Sequence, residues 1–371
     1  MNGKLRETQR FLLWLTCFFT LVISACRGPK FLEPQDSAPA WSPDSTRLVF
    51  VCTRRQMSRV WNPNHSYLGP YSGEDGYTLL EICVSDLDGS NRRQLTDNLV
   101  SDSIPSWSPG GKQITFVSER DASEGADIYV MQSDGTKLIN LTRHPAGYGR
   151  PHWSPDGQTI AFTSTRDNLE GDLYVMGADG SRLTRLARMG WIGSLGWSPD
   201  GKFILFEGGT TVDKEIYTVN IKDNSITRLT HNQVFDSEPV WSPDGRHIAF
   251  TSEREDGVQV YMMDVQTREE VKISKGPEPN RPVAWSPNEQ FLFYIGGVGP
   301  NQRLYLLNLE TETLTTFPNF ETTLSTPKWS PNSQYLVYGR TEDWNKDGFG
   351  ESKIWVLRVK DGVRWAVSSM K

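Results

Sequence analysis

The tripeptide Trp-Ser-Pro occurs seven times, with Trp at 41, 107, 153, 197, 241, 285 and 329. The intervals are 66, 46 and then four of 44 residues. A fixed period of this length marks a repeat architecture and restricts the fold before local propensity is weighed. One period, Arg150 to Leu186, contains four strand-like stretches. The first runs into Trp153, the second alternates over Thr159–Ser164, the third covers Asp172–Met176 and the fourth surrounds Leu183–Leu186. In Ser154-Pro155-Asp156-Gly157 the proline presets φ and the glycine takes the positive φ that closes a turn; Asp179-Gly180 marks the next hairpin. A four-stranded antiparallel unit of this size cannot bury both faces alone. Radial stacking buries them and leaves only short edges. The expectation is an all-β, seven-bladed β-propeller of four-stranded antiparallel blades over residues 36–371. Two closures remain open, because the last strand signal, Val363–Ser369, lies at the C-terminus. The ring lacks a strand shared between first and last blades, or residues 31–36 add an edge strand.

Composition narrows the function. The 371 residues carry 45 acidic and 39 basic side chains, a formal charge of −6, so the basic excess of a nucleic-acid binder is missing. At 37% hydrophobic residues the chain is neither a polytopic membrane protein nor wholly disordered.

The first 25 residues read as an export signal. Lys4, Arg6 and Arg10 precede an apolar run from Phe11 to Ile23, which at 13 residues is short for a bilayer span. Ile23-Ser24-Ala25-Cys26 resembles a bacterial lipobox, which implies cleavage before Cys26 and lipid attachment to it. The expected organisation is signal peptide 1–25, lipidated Cys26 with a Pro-containing tether to residue 35, then the propeller. Loss of residues 1–25 removes three basic and one acidic side chain, leaving −8. The expected location is exported, on the cell or outer membrane, facing periplasm or exterior. Lipid alone would contact the membrane.

The WSPDG hairpin, the Ile-Ala-Phe strand (160–162), the Leu-Tyr-Val-Met strand (173–176), the Asp-Gly turn and the Leu-Thr ending resemble the TolB-type propeller repeat. The resemblance covers nearly all of 36–371 and speaks to fold more than to function. The family's namesake carries an α/β domain before a six-bladed ring; here a tether and seven motifs imply a stand-alone lipoprotein form. The repeated tryptophans are expected to pack between blades. Asp36, Asp102 and Asp236 open the three blades that read Asp-Ser-x-Pro-x-Trp, and are expected to bond backbone or hydroxyl groups around the hub.

Cys52 and Cys83 remain once Cys17 leaves with the signal and Cys26 is acylated. In the fifth repeat, Asp256-Gly257 taken as a two-residue turn sets Ser252 opposite Tyr261. Alignment of the first repeat places Cys52 and Cys83 at those positions, predicting a cross-strand disulfide in the oxidising exported compartment.

Two repeats depart from the pattern. Blade one carries an insert of about 20 residues, roughly 54–78, with Arg54, Arg55, Trp61, His65, Tyr67, Tyr71 and Tyr77. Exposed aromatic and arginine side chains on a long loop are typical interface anchors, so a protein or peptide partner is expected there, with a glycan second. Blade seven carries Asp343-Trp344-Asn345-Lys346-Asp347-Gly348-Phe349-Gly350-Glu351. This resembles the short calcium loop of integrin-type propellers, which implies Asp343, Asn345, Asp347, Glu351 and the Phe349 carbonyl as ligands. An ordinary polar hairpin tip has the same composition. The EF-hand reading fails because Ile354 stands at the twelfth position.

No Gly-x-Ser-x-Gly, His-Glu-x-x-His, P-loop or Gly-x-Gly-x-x-Gly motif occurs. His144 and His231, with Asp102, Arg150, Asp236, Glu238 and Arg281, are expected at one mouth of the channel. The leading expectation is a non-catalytic binding or scaffolding propeller of the cell envelope. The alternative is a carbohydrate-active enzyme. Some seven-bladed propellers of this repeat type are metal-dependent oligogalacturonide lyases with a His cluster at the hub, and the five His here form no clear matching set.

Overall fold

A computed structural model of the chain describes residues 36–56, 77–121, 125–144, 146–210, 213–274, 280–297, 302–317, 327–342 and 351–367. These form seven four-stranded sheets, each built from four consecutive strands. Each inner strand ends at the repeat tryptophan: Ser37–Trp41, Asp102–Trp107, His152–Trp153, Trp191–Trp197, Asp236–Trp241, Asn280–Trp285 and Lys328–Trp329. The fourth strand of blade three runs Thr184–Ala187 and that of blade seven Arg364–Val367, each shifted or shortened against the sequence expectation.

The core lies between blades. Alternation along the second strand sends neighbouring side chains to opposite faces. In blade one, Leu48, Phe50 and Cys52 therefore join a cluster with Val337, Ile354 and Val356 of blade seven, while Val49 and Val51 join Trp107, Ile114 and Phe116 of blade two. Because both faces are covered, the second and third strands are apolar along most of their length. An aromatic ring nine residues after each Trp fills the interface: Phe50, Phe116, Phe162, Phe206, Phe250, Tyr294 and Tyr338 are all at most 1% exposed. Truncating one such ring to alanine costs about 3–5 kcal/mol.

Polar groups inside this core are satisfied by a repeated device that explains the Leu-Thr ending. Thr96 Oγ1 accepts the Ile82 amide at 2.9 Å and donates to buried Glu81 at 2.7 Å. Thr142 does the same for Ile128 and Asp127, and Ser274 for Val260 and Gln259. One hydroxyl thus completes a strand amide and a buried carboxylate or amide oxygen together, which removes two desolvation penalties. In the WSPDG turn, Ser154 Oγ donates to Asp156 at 2.6 Å and accepts the Thr159 amide at 2.9 Å. That first contact holds the Asp156 carboxyl below its usual range.

Two of the three opening aspartates differ from the sequence expectation. Asp36 takes a bidentate ion pair from Arg92 at 2.7 and 2.8 Å, and Asp102 is bonded by Arg120 at 2.6 Å and Asn98 at 2.7 Å. Asp236 is bonded by Asn232 at 2.7 Å. Guanidinium and amide side chains are therefore the partners of Asp36 and Asp102, while Asp236 also takes the expected hydroxyl bonds, from Ser252 and Thr230. In the same motif the residue before proline sits in a bulge with positive φ: 49° at Ala38, 55° at Ile104 and 54° at Glu238. For a β-branched residue such as Ile104 this conformation is an outlier.

No strand is shared between blades one and seven among the described residues. The same contacts that join other blades close the ring. Trp197 Nε1 donates to the His152 carbonyl and Trp329 Nε1 to that of Ala284; Trp41 Nε1 donates to the Lys328 carbonyl at 2.9 Å. The Asp36 amide donates to the Ser352 carbonyl, Trp365 Nε1 to the Leu87 carbonyl, and the Asn332 amide to Ser45 Oγ.

Cys52 and Cys83 are joined by a disulfide with Cα atoms 5.8 Å apart, between the second strand of blade one (Arg47–Gln56) and the third (Tyr77–Asp86). The strand register differs from the expected one. In blade five, Arg254 pairs with Gly257, Ser252 with Gln259, and Phe250 with Tyr261. The turn therefore lies at Glu255-Asp256, and Gly257 belongs to the strand with φ 87°. By that register the two cysteines are diagonal neighbours, two residues off direct opposition. Cys52 Sγ also lies 3.5 Å from the Glu81 carbonyl. The 5.8 Å between their Cα atoms lies within the range a disulfide spans.

Candidate functional site in the central channel

The inner strands surround the axis. The residue before each Trp is Ala40, Ser106, His152, Gly196, Val240, Ala284 or Lys328. Five of these are small or aliphatic, so the two basic side chains stand out. A cavity of about 460 Å³ is lined by Arg150, His152 and Thr163 of blade three, Ile192–Leu195 of blade four, Glu238–Val240 of blade five and Lys328 of blade seven. Blade seven lies across a seven-membered ring from blades three and four, so the cavity spans the axis.

The charges here act on one another. Enclosure within the ring pushes the His152 imidazole down to about 4, helped by the positive charges of Lys328 and Arg150. The same enclosure, followed by Arg150, pushes Lys328 down to about 8, although its side chain is open to the channel. Behind the wall, buried Glu207 accepts the Ser194 amide at 3.1 Å and the Glu238 amide at 3.2 Å, tying the inner strands of blades four and five together. Gly193 permits this approach, since a Cβ there would lie 2.1 Å from Glu207 Oε1.

Of the residues expected at the channel mouth, Arg150 and Glu238 line the cavity. Asp102 and Asp236 are fully buried at the head of their blades and do not. His144 and His231 are exposed; the His144 amide donates to Asp127 Oδ1 and its carbonyl accepts the Tyr148 hydroxyl. Arg281 lies in the inner strand of blade six, and its side chain is outside the described residues. Among the described residues, no three His, Cys, Asp or Glu side chains gather as a metal-holding group. The expected calcium ligands Asp343, Asn345, Asp347 and Phe349 lie outside the described residues, as do Cys26, Trp61, His65, Tyr67 and Tyr71. Arg54, Arg55, Tyr77 and Glu351 are placed in strands by their backbone only. His152 and Lys328 were not among the expected site residues. Their signal is basic side chains at a position that other blades fill with small or aliphatic ones.

The sequence pattern of the TolB beta propeller domain matches residues 57–210 and 188–347, well over half of the chain. The chain belongs to the TolB beta-propeller family. No curated protein matches it by sequence. Among solved structures, this TolB-family ring is similar to TolB from Acinetobacter baumannii, with 19% identity, a TM-score of 0.54, and 77% of this chain and 75% of that one covered. It is also similar to an oligogalacturonate lyase from Vibrio parahaemolyticus, with 13% identity, a TM-score of 0.67, and 90% and 93% covered. A puromycin-hydrolyzing peptidase from Mycobacterium tuberculosis matches at 14% identity and a TM-score of 0.63, over 90% of this chain and 53% of that one. At these identities the likeness is one of fold.

Proposed function

We propose that this TolB-family propeller is a non-catalytic, lipid-tethered protein of the bacterial cell envelope that binds a protein or peptide partner. The Cys52–Cys83 disulfide carries the reading. A disulfide persists in exported compartments and is rare in the cytosol. It agrees with the lipobox-like Ile23-Ser24-Ala25-Cys26. The aromatic and arginine residues of the blade-one insert, Trp61, Tyr67, Tyr71, Arg54 and Arg55 among them, are the proposed partner surface. The test is affinity capture from envelope extract with the full lipidated chain and with a variant whose residues 57–76 are replaced by a short Gly-Ser turn. A partner held by both proteins refutes the insert as the surface. Loss of membrane association in Cys26→Ser, with the fold intact, supports the tether.

The calcium loop is part of this proposal, with Asp343, Asn345, Asp347, Glu351 and the Phe349 carbonyl as ligands. Calorimetric calcium binding by the parent and its absence in Asp347→Ala would support it. The second reading, a uronate-cleaving enzyme, rests on the fold likeness to oligogalacturonate lyase. The described channel residues do not fit a three-ligand metal centre. Incubation with uronate oligosaccharides and manganese, followed by assay for unsaturated product, tests that reading directly.

A further inference from the structure

The channel holds basic groups that no carboxylate among the described residues pairs with. Arg150 enters from blade three and Lys328 from blade seven, on opposite sides of the axis. Neither side chain makes an ion pair or hydrogen bond among the described residues. Among the described residues, the only charge that bears on Lys328 is the like charge of Arg150, and His152 feels both. Glu238 is the one carboxylate on the described cavity wall. Two cations lining one half-open cavity, inside a chain of net charge −6, create a local positive potential against the overall field. The rest of the wall includes Ile192, Leu195 and Val240. A ligand for this space therefore needs anionic ends for the cations and a carbon skeleton for the apolar wall.

We propose that the central channel binds a small organic carboxylate, with the Arg150 guanidinium and the Lys328 ammonium pairing with its carboxylate groups and His152 hydrogen-bonding beside them. Arginine's planar fork matches a carboxylate with two parallel hydrogen bonds, and lysine supplies a point charge. The size agrees: a cavity of about 460 Å³ is in the range of small-molecule sites. The proposal stands apart from the protein-partner reading, which concerns the blade-one insert.

The test is calorimetric titration of the full chain with citrate at low salt, with inorganic phosphate and glycerol as comparison probes. Citrate should bind, phosphate more weakly, and glycerol not at all. Lys328→Met and Arg150→Gln, which sit in different blades, should each weaken citrate binding about tenfold or more, the change expected from losing one charge-assisted hydrogen bond. A readout on the parent needs no variant. Near pH 8 an anion beside Lys328 draws a proton onto it, so the heat should differ between Tris and HEPES by an amount showing proton uptake. Absence of citrate heat, phosphate binding as tight as citrate, or unchanged affinity in both folded variants overturns the proposal.

Discussion

Reduction of the Cys52–Cys83 bond should lower the melting temperature by a predictable amount. The two residues are 31 apart in sequence, and the bond closes the whole blade-one insert. In the chain-entropy account, a loop of this length contributes about 3.7 kcal/mol at 25 °C. Unfolding entropy scales at about 2.1 cal/mol/K per residue, so a ring of this size changes by roughly 0.7 kcal/mol per degree at its midpoint. The expected drop is about 5 °C. Reduction leaves both sulfurs in place, so no cavity term is added, which an alanine substitution would introduce. Scanning calorimetry of the oxidised and reduced parent measures the shift, with thiol titration confirming complete reduction. Cys52→Ala/Cys83→Ala should melt at or below the reduced parent and show no response to reductant. A fully reduced parent melting within a degree of the oxidised protein would refute the loop-entropy argument. Two freely alkylated thiols in unreduced protein would refute the bond itself.

Other expectations concern buried polar contacts. Thr96→Val removes the hydroxyl that serves both Ile82 and Glu81, and urea denaturation should show a loss of about 2–3 kcal/mol, near the cost of a buried carboxylate left short of a donor. Asp36→Ala strands the Arg92 guanidinium, which is 8% exposed, and should cost about 3–5 kcal/mol; an unchanged urea midpoint would show that the pair is dispensable. His152 titrates at about 4 in the fold against 6.5 unfolded, so the unfolded chain binds more protons between those values. Its contribution to stability is complete above pH 6.5 and is lost as pH falls through about 4. His152→Gln should flatten the melting temperature over that window. Asp236 has the opposite sign. Burial raises its carboxyl above the usual value despite hydrogen bonds from Ser252, Asn232 and Thr230, so stability from its neutral form is present below pH 3.8 and lost as pH rises through the raised value. Asp236→Asn should gain stability relative to the parent at neutral pH compared with acid.

The ring was legible because its information is local and repeated. Trp-Ser-Pro, the alternating second strand and the Asp-Gly turns recur within each period, and each reports on neighbours a few residues away. The disulfide partners were legible as well, but their register was not. Gly257 reads as a turn residue, yet it pairs with Arg254 and leaves Glu255-Asp256 at the tip. A glycine with positive φ serves equally at the end of a turn. The partners of Asp36 and Asp102 were missed because Arg92 and Arg120 come from outside the motif, 56 and 18 residues away. Arg150 was legible at the channel, but Lys328 and His152 were not. Lys328 and Arg150 approach one another only after closure, and the signal for Lys328 shows only when its position is compared across all seven repeats.

The way the ends meet has a mechanical consequence. Where a propeller interleaves its first strand into its last blade, tension on the N-terminus must shear a ladder of parallel-loaded bonds. Here Asp36 itself sits at the seam, and a pull on it is borne first by the Asp36–Ser352 backbone bond and the Asp36–Arg92 ion pair. Once those yield, load passes to the packing of blade one on blade seven, so force applied from the N-terminal side peels the circle open at one joint and leaves the other six to follow.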